Sequence, residues 1–549
     1  MADVKISQLP AATLPLTGVE LVPVVQSGVT KQVVAAGIGT GVVNVKAYGA
    51  IGDGVANDTA AIQAAIAAAP VNGAVFFPAG VFCGYVFVWR SDISLIGAGS
   101  AATTIKLPNN CASVTVPWEP GGTITGLPNV IEIGQCALGN AAAAYSNVTV
   151  RGMTLDGNYT NNIAPVTDLF GHGLIATKVS NLVLADVVGK NCYATGIDIV
   201  INSNYAKVSA RVENCGNALI LGGRYPNFDI NSSKYGIFDI ISSGGYYGGR
   251  MLDNCWGNQL NITVYNPSIT GLVYNNQSVN VSYSNTINVS VIDGCSGGQG
   301  VSVGNLCYSS TVNATIRNVA GTGFYAAGSS EANAPRSNKF NVNTFGCGGS
   351  AVYDAGLFNQ YEICSRYDGD TGPAGSFFAV DINGKNNQFV INIEDQPTPQ
   401  VRGVVIRSGA TSNAIVDYKF NTNVQTFLNQ ETGNTTKYFN PQIPYSPVIG
   451  TWQSVSLNGG WSNTFGAPYP VVGYTIDAAG RVSVRGTVTG GSGTIFTLPA
   501  GFRPTNSMLF PTWANSALGR LEVDSAGAVT LASGTATSVD LSPITFTVY

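Results

Sequence analysis

The sequence predicts an all-β chain built mainly as a solenoid, and three observations support this. The first is a short pattern that keeps returning: a polar residue, usually Asn or Ser, with apolar residues two and four positions on. It reads SNVTV from Ser146, SNLVL from Ser180, NYAKV from Asn204, NQLNI from Asn258, NTINV from Asn285 and STVNA from Ser310. It continues as NKFNV from Asn338, NQYEI from Asn359, NQFVI from Asn387 and NAIVD from Asn413, with a degenerate copy, KYGIF, from Lys234. The spacing averages roughly 27 residues, within the range of stacked repeat architectures. The second observation is that apolar and polar residues alternate inside each copy, so each is a strand with one buried face. The third is that the chain carries 67 Gly and is punctuated by Asn-rich turns, which breaks it into many short extended runs.

The elements follow in order. Residues 1–40 hold two short apolar runs broken by Pro and Gly, too small a piece to build a large core alone. From Asn57, the sequence NDTAAIQAAIAAA has helix N-cap chemistry followed by an Ala-rich helix that ends at Pro70 and Gly73. A short helix ahead of stacked coils is a cap over the solenoid's open apolar end. In most repeats a second strand follows a glycine: GIDIV from Gly196, GLVYN from Gly271, GVSVG from Gly300, GFYAA from Gly323 and GVVIR from Gly403. Two longer strands and a short third per turn fit a three-sheet coil spanning residues 41–435. Asn202, Asn254, Asn275 and Asn305 end or follow such strands and read as turn or ladder residues. The pattern fades after Asn413. From Thr451 the runs alternate around the turns DAAGRV and DSAGAV, which predicts an antiparallel β-sandwich within residues 436–549.

Composition excludes several functions. Only 10% of the residues are charged and the net charge is -4, which argues against nucleic acid as a partner. No apolar run is long enough to cross a bilayer, so membrane insertion is not expected. The start, MADVKISQLP, lacks the basic and apolar regions of a secretory signal. The ten cysteines include Cys192, Cys215, Cys295 and Cys347, each beside a glycine turn at a similar point of the repeat. That placement predicts buried free thiols rather than a disulfide framework. No CxxC pair or His/Cys cluster exists, so neither a structural metal nor a cofactor is expected.

The stretch AYGAIGDGVANDTAAIQAAI followed by GAVFFPAGVF closely resembles the start of the pectate-lyase-like right-handed parallel β-helices found in bacteriophage tailspikes and tail-associated polysaccharide depolymerases. The opening ADVKISQLPAATLPLTGVELVPVVQSGVTK is similar to virion-attachment segments of phage tail fibres. The resemblance implies an elongated homotrimeric spike, assembled in the bacterial cytoplasm and carried on the virion. It would be anchored through residues 1–40 to a tail or baseplate protein, and would bind and cleave a bacterial surface polysaccharide, capsule or lipopolysaccharide O-antigen. The C-terminal sandwich resembles the trimerisation or glycan-binding domains of tail fibres.

Outward positions counted along each repeat form one polar wall, because neighbouring coils lie ~4.8 Å apart. On it, Arg211, Asn261, Tyr265, Asn288, Arg317, Asn343 and Arg366 are expected to bind sugar hydroxyls. The wall acids Asp239, Glu362 and Glu394 are candidate catalytic groups, since glycoside hydrolysis uses two carboxyls. The isoleucines beside Asp239 are expected to raise its pKa, whereas Glu394 lies beside Arg366 and reads equally as a structural ion pair. The insertion RYDGDTGPAG adds Asp368 and Asp370 as candidates, because loops on a rigid scaffold often build the site. A second insertion carries Asp156, Asp168 and the sole histidine, His172, which is expected to be a packing residue. Hydrolysis by a carboxylate pair is favoured. Polysaccharide β-elimination and non-catalytic adhesion remain alternatives.

Overall fold

The computed structural model describes residues 21–26, 29–34, 41–117, 123–162, 171–216, 219–220, 223–276, 280–296, 298–366, 368, 378–394, 402–420, 427–429, 437–438, 452–464, 470–476, 481–499 and 501–548. The chain divides into two compact units, Met1–Gly321 and Thr322–Tyr549.

In the first unit, Leu21–Gln26 and Val29–Val34 pair as an antiparallel hairpin. The helix Thr59–Ala68 follows and buries Ile62, Ala65 and Ile66. The Asn57 side chain accepts the Thr59 amide at 3.0 Å, while the Asp58 carboxylate turns back to accept the Ile51 and Gly52 amides. Pro70 cannot continue the helical hydrogen bonding, and the helix ends there. The Arg90 guanidinium donates to the carbonyls of Ile66, Ala69 and Pro70, satisfying the helix C-terminus.

Two parallel sheets then climb through the coils. The first contains Val148–Asp156, Val183–Lys190, Lys207–Glu213, Ile237–Ser243, Gln259–Tyr265, Thr286–Gly294 and Thr311–Val319, each paired in parallel with the next, with one register shift between Ala185 and Val187. Its strands alternate buried and open residues, and this sheet is the polar wall. The second contains Val86–Val88, Ile131–Ile133, Leu174–Thr177, Ile197–Val200, Pro226–Asn231, Tyr247–Leu252, Thr270–Asn275 and Gln299–Val303. A third line of pairing is one or two residues per coil, as in the bridges Asn204–Lys234–Trp256–Tyr283. The expected three-sided coil is therefore present.

The second unit carries further coils. One sheet contains Lys339–Phe345, Gln360–Arg366, Gln388–Glu394, Ala414–Phe420 and Lys437–Tyr438. The other contains Thr322–Ala327, Val352–Ala355, Phe378–Ile382, Arg402–Ile406 and Phe427–Asn429. The chain after residue 452 forms antiparallel sheets of four and seven strands around a core that includes Trp461, Phe496, Leu521 and Phe546. In the DSAG turn, Asp524 accepts the Ala528 amide at 2.8 Å and Gly527 takes φ 87°, as the hairpin reading required. All ten cysteines are free thiols and eight are buried.

The repeated Asn has a physical cause, and it is not the same cause throughout. From Asn258 onward it is buried, and its side-chain oxygen accepts the backbone N–H of the preceding coil. Asn285 accepts from Asn258, Asn359 from Asn338, Asn387 from Asn359 and Asn413 from Asn387, at 2.7–3.0 Å. In the earlier coils the pattern starts two residues sooner, at Ser146, Ser180 and Asn204, and its Asn147 and Asn181 fall on the exposed turn. There Asn147 and Asn181 take φ 58° and 56° and bond to Asp92 and Asn147 respectively. The repeat alignment therefore slips by two residues at Asn258. Asp239 stands opposite Ser209 and Asn261, and Tyr265 opposite Ser243, not Ile241. Because the strand period is two, the slip keeps every side chain on its expected face and moves only the rung. Among the predicted turn residues, Asn202 and Asn254 take φ 58° and 53°, and Asn275 accepts the Asn305 amide at 2.7 Å.

Asn359 is fully buried and holds both the Asn338 amide and the Pro335 carbonyl. Asn359→Ala orphans both groups and is expected to cost about 2 kcal/mol, since each buried unpaired group pays its desolvation. Urea unfolding of the second unit's coils measures this; an unshifted midpoint would show the ladder to be redundant.

A buried titratable cluster as candidate active site

The wall candidates fall into two sets. In the first unit, Asp239 accepts a 2.6 Å bond from Asn261. Asn261 accepts from Asn288 and Asn288 from Asn313, both at 2.7 Å, so four rungs form one hydrogen-bonded ladder. Ile237 and Ile241 are themselves 42% and 47% exposed, so they do not enclose Asp239 as the sequence reading expected. Arg211, Tyr265 and Arg317 stand exposed on the same face. In the second unit, Glu362 and Asn343 are exposed. Arg366 is ion-paired with Glu394, its Nε 2.6 Å from Oε2, and Asn392 supports the other carboxylate oxygen at 2.5 Å. Asp239 has Ser209 and Asn261 across its rung and Glu362 has Asn341 and Val390, so neither faces a second carboxyl there.

Asp368 is not the open loop acid that the insertion predicted. It is fully buried, accepting from the hydroxyls of Thr344 and Ser365 at 2.6 Å and from the Cys347 amide at 2.8 Å. It pins a turn, and burial pushes its carboxyl above the ordinary range. Asp156 likewise makes turn bonds, accepting the Asn158 amide at 2.9 Å. Asp168 and Asp370 lie outside the described residues.

A different constellation sits on the outer face of the first unit's second sheet. Its strands read I-E-I, I-D-I and F-D-I, with the isoleucines and Phe228 turned into the coil and the acid left on the outside. Register aligns these outward residues along the coils in the order Phe87, Glu132, Ile175, Asp198, Asp229, Arg250 and Val273. Asp198 and Asp229 are therefore neighbours one coil apart. Arg250 grips Asp229 with Nε 3.2 Å from each carboxylate oxygen and Nη2 2.5 Å from Oδ2. His172 reaches in from the stretch between Gly171 and Gly173, its Nδ1 3.4 Å from Asp198 Oδ2. Its ring meets that of Tyr225 edge-on at 5.4 Å. The Asn129 side chain accepts the His172 amide at 3.0 Å and donates to Glu132 at 3.0 Å, joining the last acid to the group.

This cluster is sealed and incompletely satisfied. His172, Asp198, Asp229 and Glu132 are each at most 5% exposed. Neither ring nitrogen of His172 has an aligned hydrogen-bond partner among the described residues; the Nδ1 contact lacks the geometry of one. Asp198 Oδ1 is likewise without a partner. Burial pushes the Asp198 carboxyl well above the usual range, and the Asp229 charge adds to the shift. Burial also raises Glu132. Burial, assisted by the Arg250 charge, pulls His172 down to about 3, so its imidazole is neutral. Buried polar groups are nearly always paired, and unpaired titratable groups with displaced pKa values concentrate where chemistry occurs. Sequence reasoning ranked the wall and passed over this face, although GIDIV already showed an acid in the outward slot of a strand.

Comparison with known proteins bears on the same region. Residues 42–237 match the sequence profile of the family described as rhamnogalacturonase A/epimerase, pectate lyase-like. The mannuronan C5-epimerases AlgE2 and AlgE4 of Azotobacter vinelandii are 36% and 34% identical over 137 and 140 residues, each match covering 23% of this chain. The chain spans only 12% and 22% of the length of those relatives. Among solved structures, the A-module of the Azotobacter vinelandii epimerase AlgE6 aligns with 72% of this chain and 97% of its own at 19% identity and a TM-score of 0.44. A tailspike protein of E. coli bacteriophage HK620, in complex with a pentasaccharide, aligns with 96% and 95% at 10% identity and a TM-score of 0.49. Over residues 42–237, then, this chain is similar to the pectate-lyase-like family, and its parallel strands stack as the coils of a β-helix.

Proposed function

We propose that this protein is a virion-borne depolymerase of a bacterial surface polysaccharide, and that the His172–Asp198–Asp229–Arg250 cluster is its chemical centre. One observation carries the reading: two carboxyls on adjacent coils of a pectate-lyase-like β-helix sit in opposed environments. Burial pushes the Asp198 carboxyl well above the usual range and favours its protonated form, and Asp229 is clamped in an ion pair. Two carboxyls in such different surroundings are suited to opposite roles in one reaction. Asp198 donates its proton to the leaving glycosidic oxygen, and Asp229 serves as the carboxylate of the pair. The ~4.8 Å between their strands is on the scale of a double-displacement pair. The Tyr225 ring packs edge-on against His172, and a sugar reaches the sealed group when the side chains around it move aside. The wall, with Arg211, Asn261, Tyr265, Asn288 and Arg317, binds further sugars, as do Asn343 and Arg366 of the second unit. Residues 1–40 attach the chain to a phage tail, and the working assembly is a homotrimer. A monomer by light scattering would count against that assembly.

A second reading, proton transfer at C5 of a uronic acid, is favoured by the unprotonated imidazole of His172 standing 3.4 Å from the Asp198 carboxyl. The identity to C5-epimerases supports it as well. One incubation with host polysaccharide in deuterated water separates the outcomes. New reducing ends without an unsaturated chromophore mean hydrolysis, and both together mean elimination. Deuterium at C5 without cleavage means epimerisation. Binding with none of these means an adhesin and overturns the enzyme reading.

A further inference from the structure

We propose that Trp89, with Phe87 and Tyr85, forms a stacking platform for the sugar units that flank the reacting residue on the N-terminal side of the cluster; this rests on the function proposed above. These three residues alternate along Val86–Val88 and its flanks, so all three rings project from one face. Tyr85 meets Phe87 at 5.5 Å, and Phe87 meets Trp89 at 4.9 Å with planes tilted by 39°. Trp89 is 39% exposed, so its ring is open to a ligand.

Two features tie this surface to the chemistry. Phe87 and Glu132 are register partners on adjacent strands, and the Trp89 side chain hydrogen-bonds Glu132. From there the bonds run through Asn129 to His172, which lies beside Asp198. The open ring is thus linked through Glu132 and Asn129 to the His172 backbone amide, the peptide that sets the imidazole beside Asp198. The platform is also rigid. Gln63 of the capping helix brackets the Phe87 peptide, donating to its carbonyl at 2.7 Å and accepting its amide at 3.0 Å. The neighbouring Arg90 is fastened to the end of that helix. In the other direction the outward file passes through Val273 and Ser302, which carry no ring. A polymer held at an internal bond must extend beyond the cluster, and the aliphatic faces of sugar rings pack on aromatic carbon while their hydroxyls bond to a polar tip.

The test uses the full chain and host polysaccharide fragments of graded length. Trp89→Ala is expected to raise KM about tenfold on long fragments with kcat nearly unchanged, because the interaction is equal in ground and transition states. Trp89→Phe, which keeps a ring but loses the N–H, is expected to retain most of the affinity. Indole fluorescence of Asp198→Asn should shift when long fragments are added, and that shift should shrink when Trp89→Phe is combined with it. An unchanged KM for Trp89→Ala, or a fall in kcat alone, overturns the platform while leaving the proposed function intact. If the unaltered protein neither binds nor converts any fragment, the proposed function fails, and the platform with it.

Discussion

Replacing Asp198 with Asn is expected to lower turnover of the polysaccharide by about 10²–10⁴-fold, the usual worth of a positioned general acid, while leaving the coils folded. The substitution keeps the volume and the neutral state that burial already imposes on this carboxyl, so no new desolvation cost arises. Its pH signature separates a catalytic role from a structural one. A carboxyl whose folded pKa is raised binds protons in the native state that the unfolded chain has released. The stability it contributes is therefore present at low pH and lost as pH rises through the folded pKa. Asp198→Asn removes that loss and should hold or gain stability in neutral solution. Activity runs in the same direction: the proton needed for the leaving group is lost with rising pH, so the unaltered protein shows an alkaline limb that the variant lacks. His172 has the opposite sign. With its folded pKa at about 3, its contribution is full above the unfolded value of about 6.5 and is lost as pH falls between the two. Initial rates and thermal melts across pH measure all of this. An Asp198→Asn protein with unaltered kcat would remove the cluster from the chemistry.

The sequence revealed the solenoid because each strand on the wall is long enough to show its period, and because the Asn recurs for a backbone reason. An unpaired amide at the coil corner must be met by something, and Asn258, Asn285, Asn359, Asn387 and Asn413 meet it. The same letter misled the alignment in the earlier coils, where Asn147 and Asn181 serve a left-handed turn instead. The face of each side chain survived this error because the strand period is two. The cluster was harder to see. Its strands are as short as Ile131–Ile133, each contributes one outward group, and its members run from Asn129 to Arg250 with no fixed spacing. His172 comes from a stretch that breaks the repeat, so nothing in its neighbourhood points to Asp198. Burial was equally invisible: Asp368, in an insertion rich in Asp and Gly, reads as a solvent-facing acid, yet Thr344, Ser365 and the Cys347 amide enclose it.

Arg250→Met is expected to destabilise the first unit by about 3–5 kcal/mol, more than any other single change argued above, because it leaves a buried charge without its partner. Asp229 is 2% exposed and draws three short contacts from the guanidinium. Methionine matches the length of the Arg stem but offers no donor. The penalty belongs to the stranded carboxylate and not to the lost attraction, and a second substitution shows this. Asp229→Asn combined with Arg250→Met removes both charges and should recover most of the loss, since a buried pair exchanged for neutral groups is often close to neutral in stability. Urea unfolding followed by near-ultraviolet signals gives the four corners of this cycle. If the double variant is as unstable as Arg250→Met, packing of the arginine stem and not charge is responsible. The cycle also bears on the cluster, because the Arg250 charge helps to keep His172 unprotonated. Without it the imidazole should take up a proton at higher pH, whereas Asp198 loses a favourable neighbour for its ionised form and is held still more firmly as the acid. One arginine thus pairs with the Asp229 carboxylate and adds to the burial that keeps the imidazole neutral.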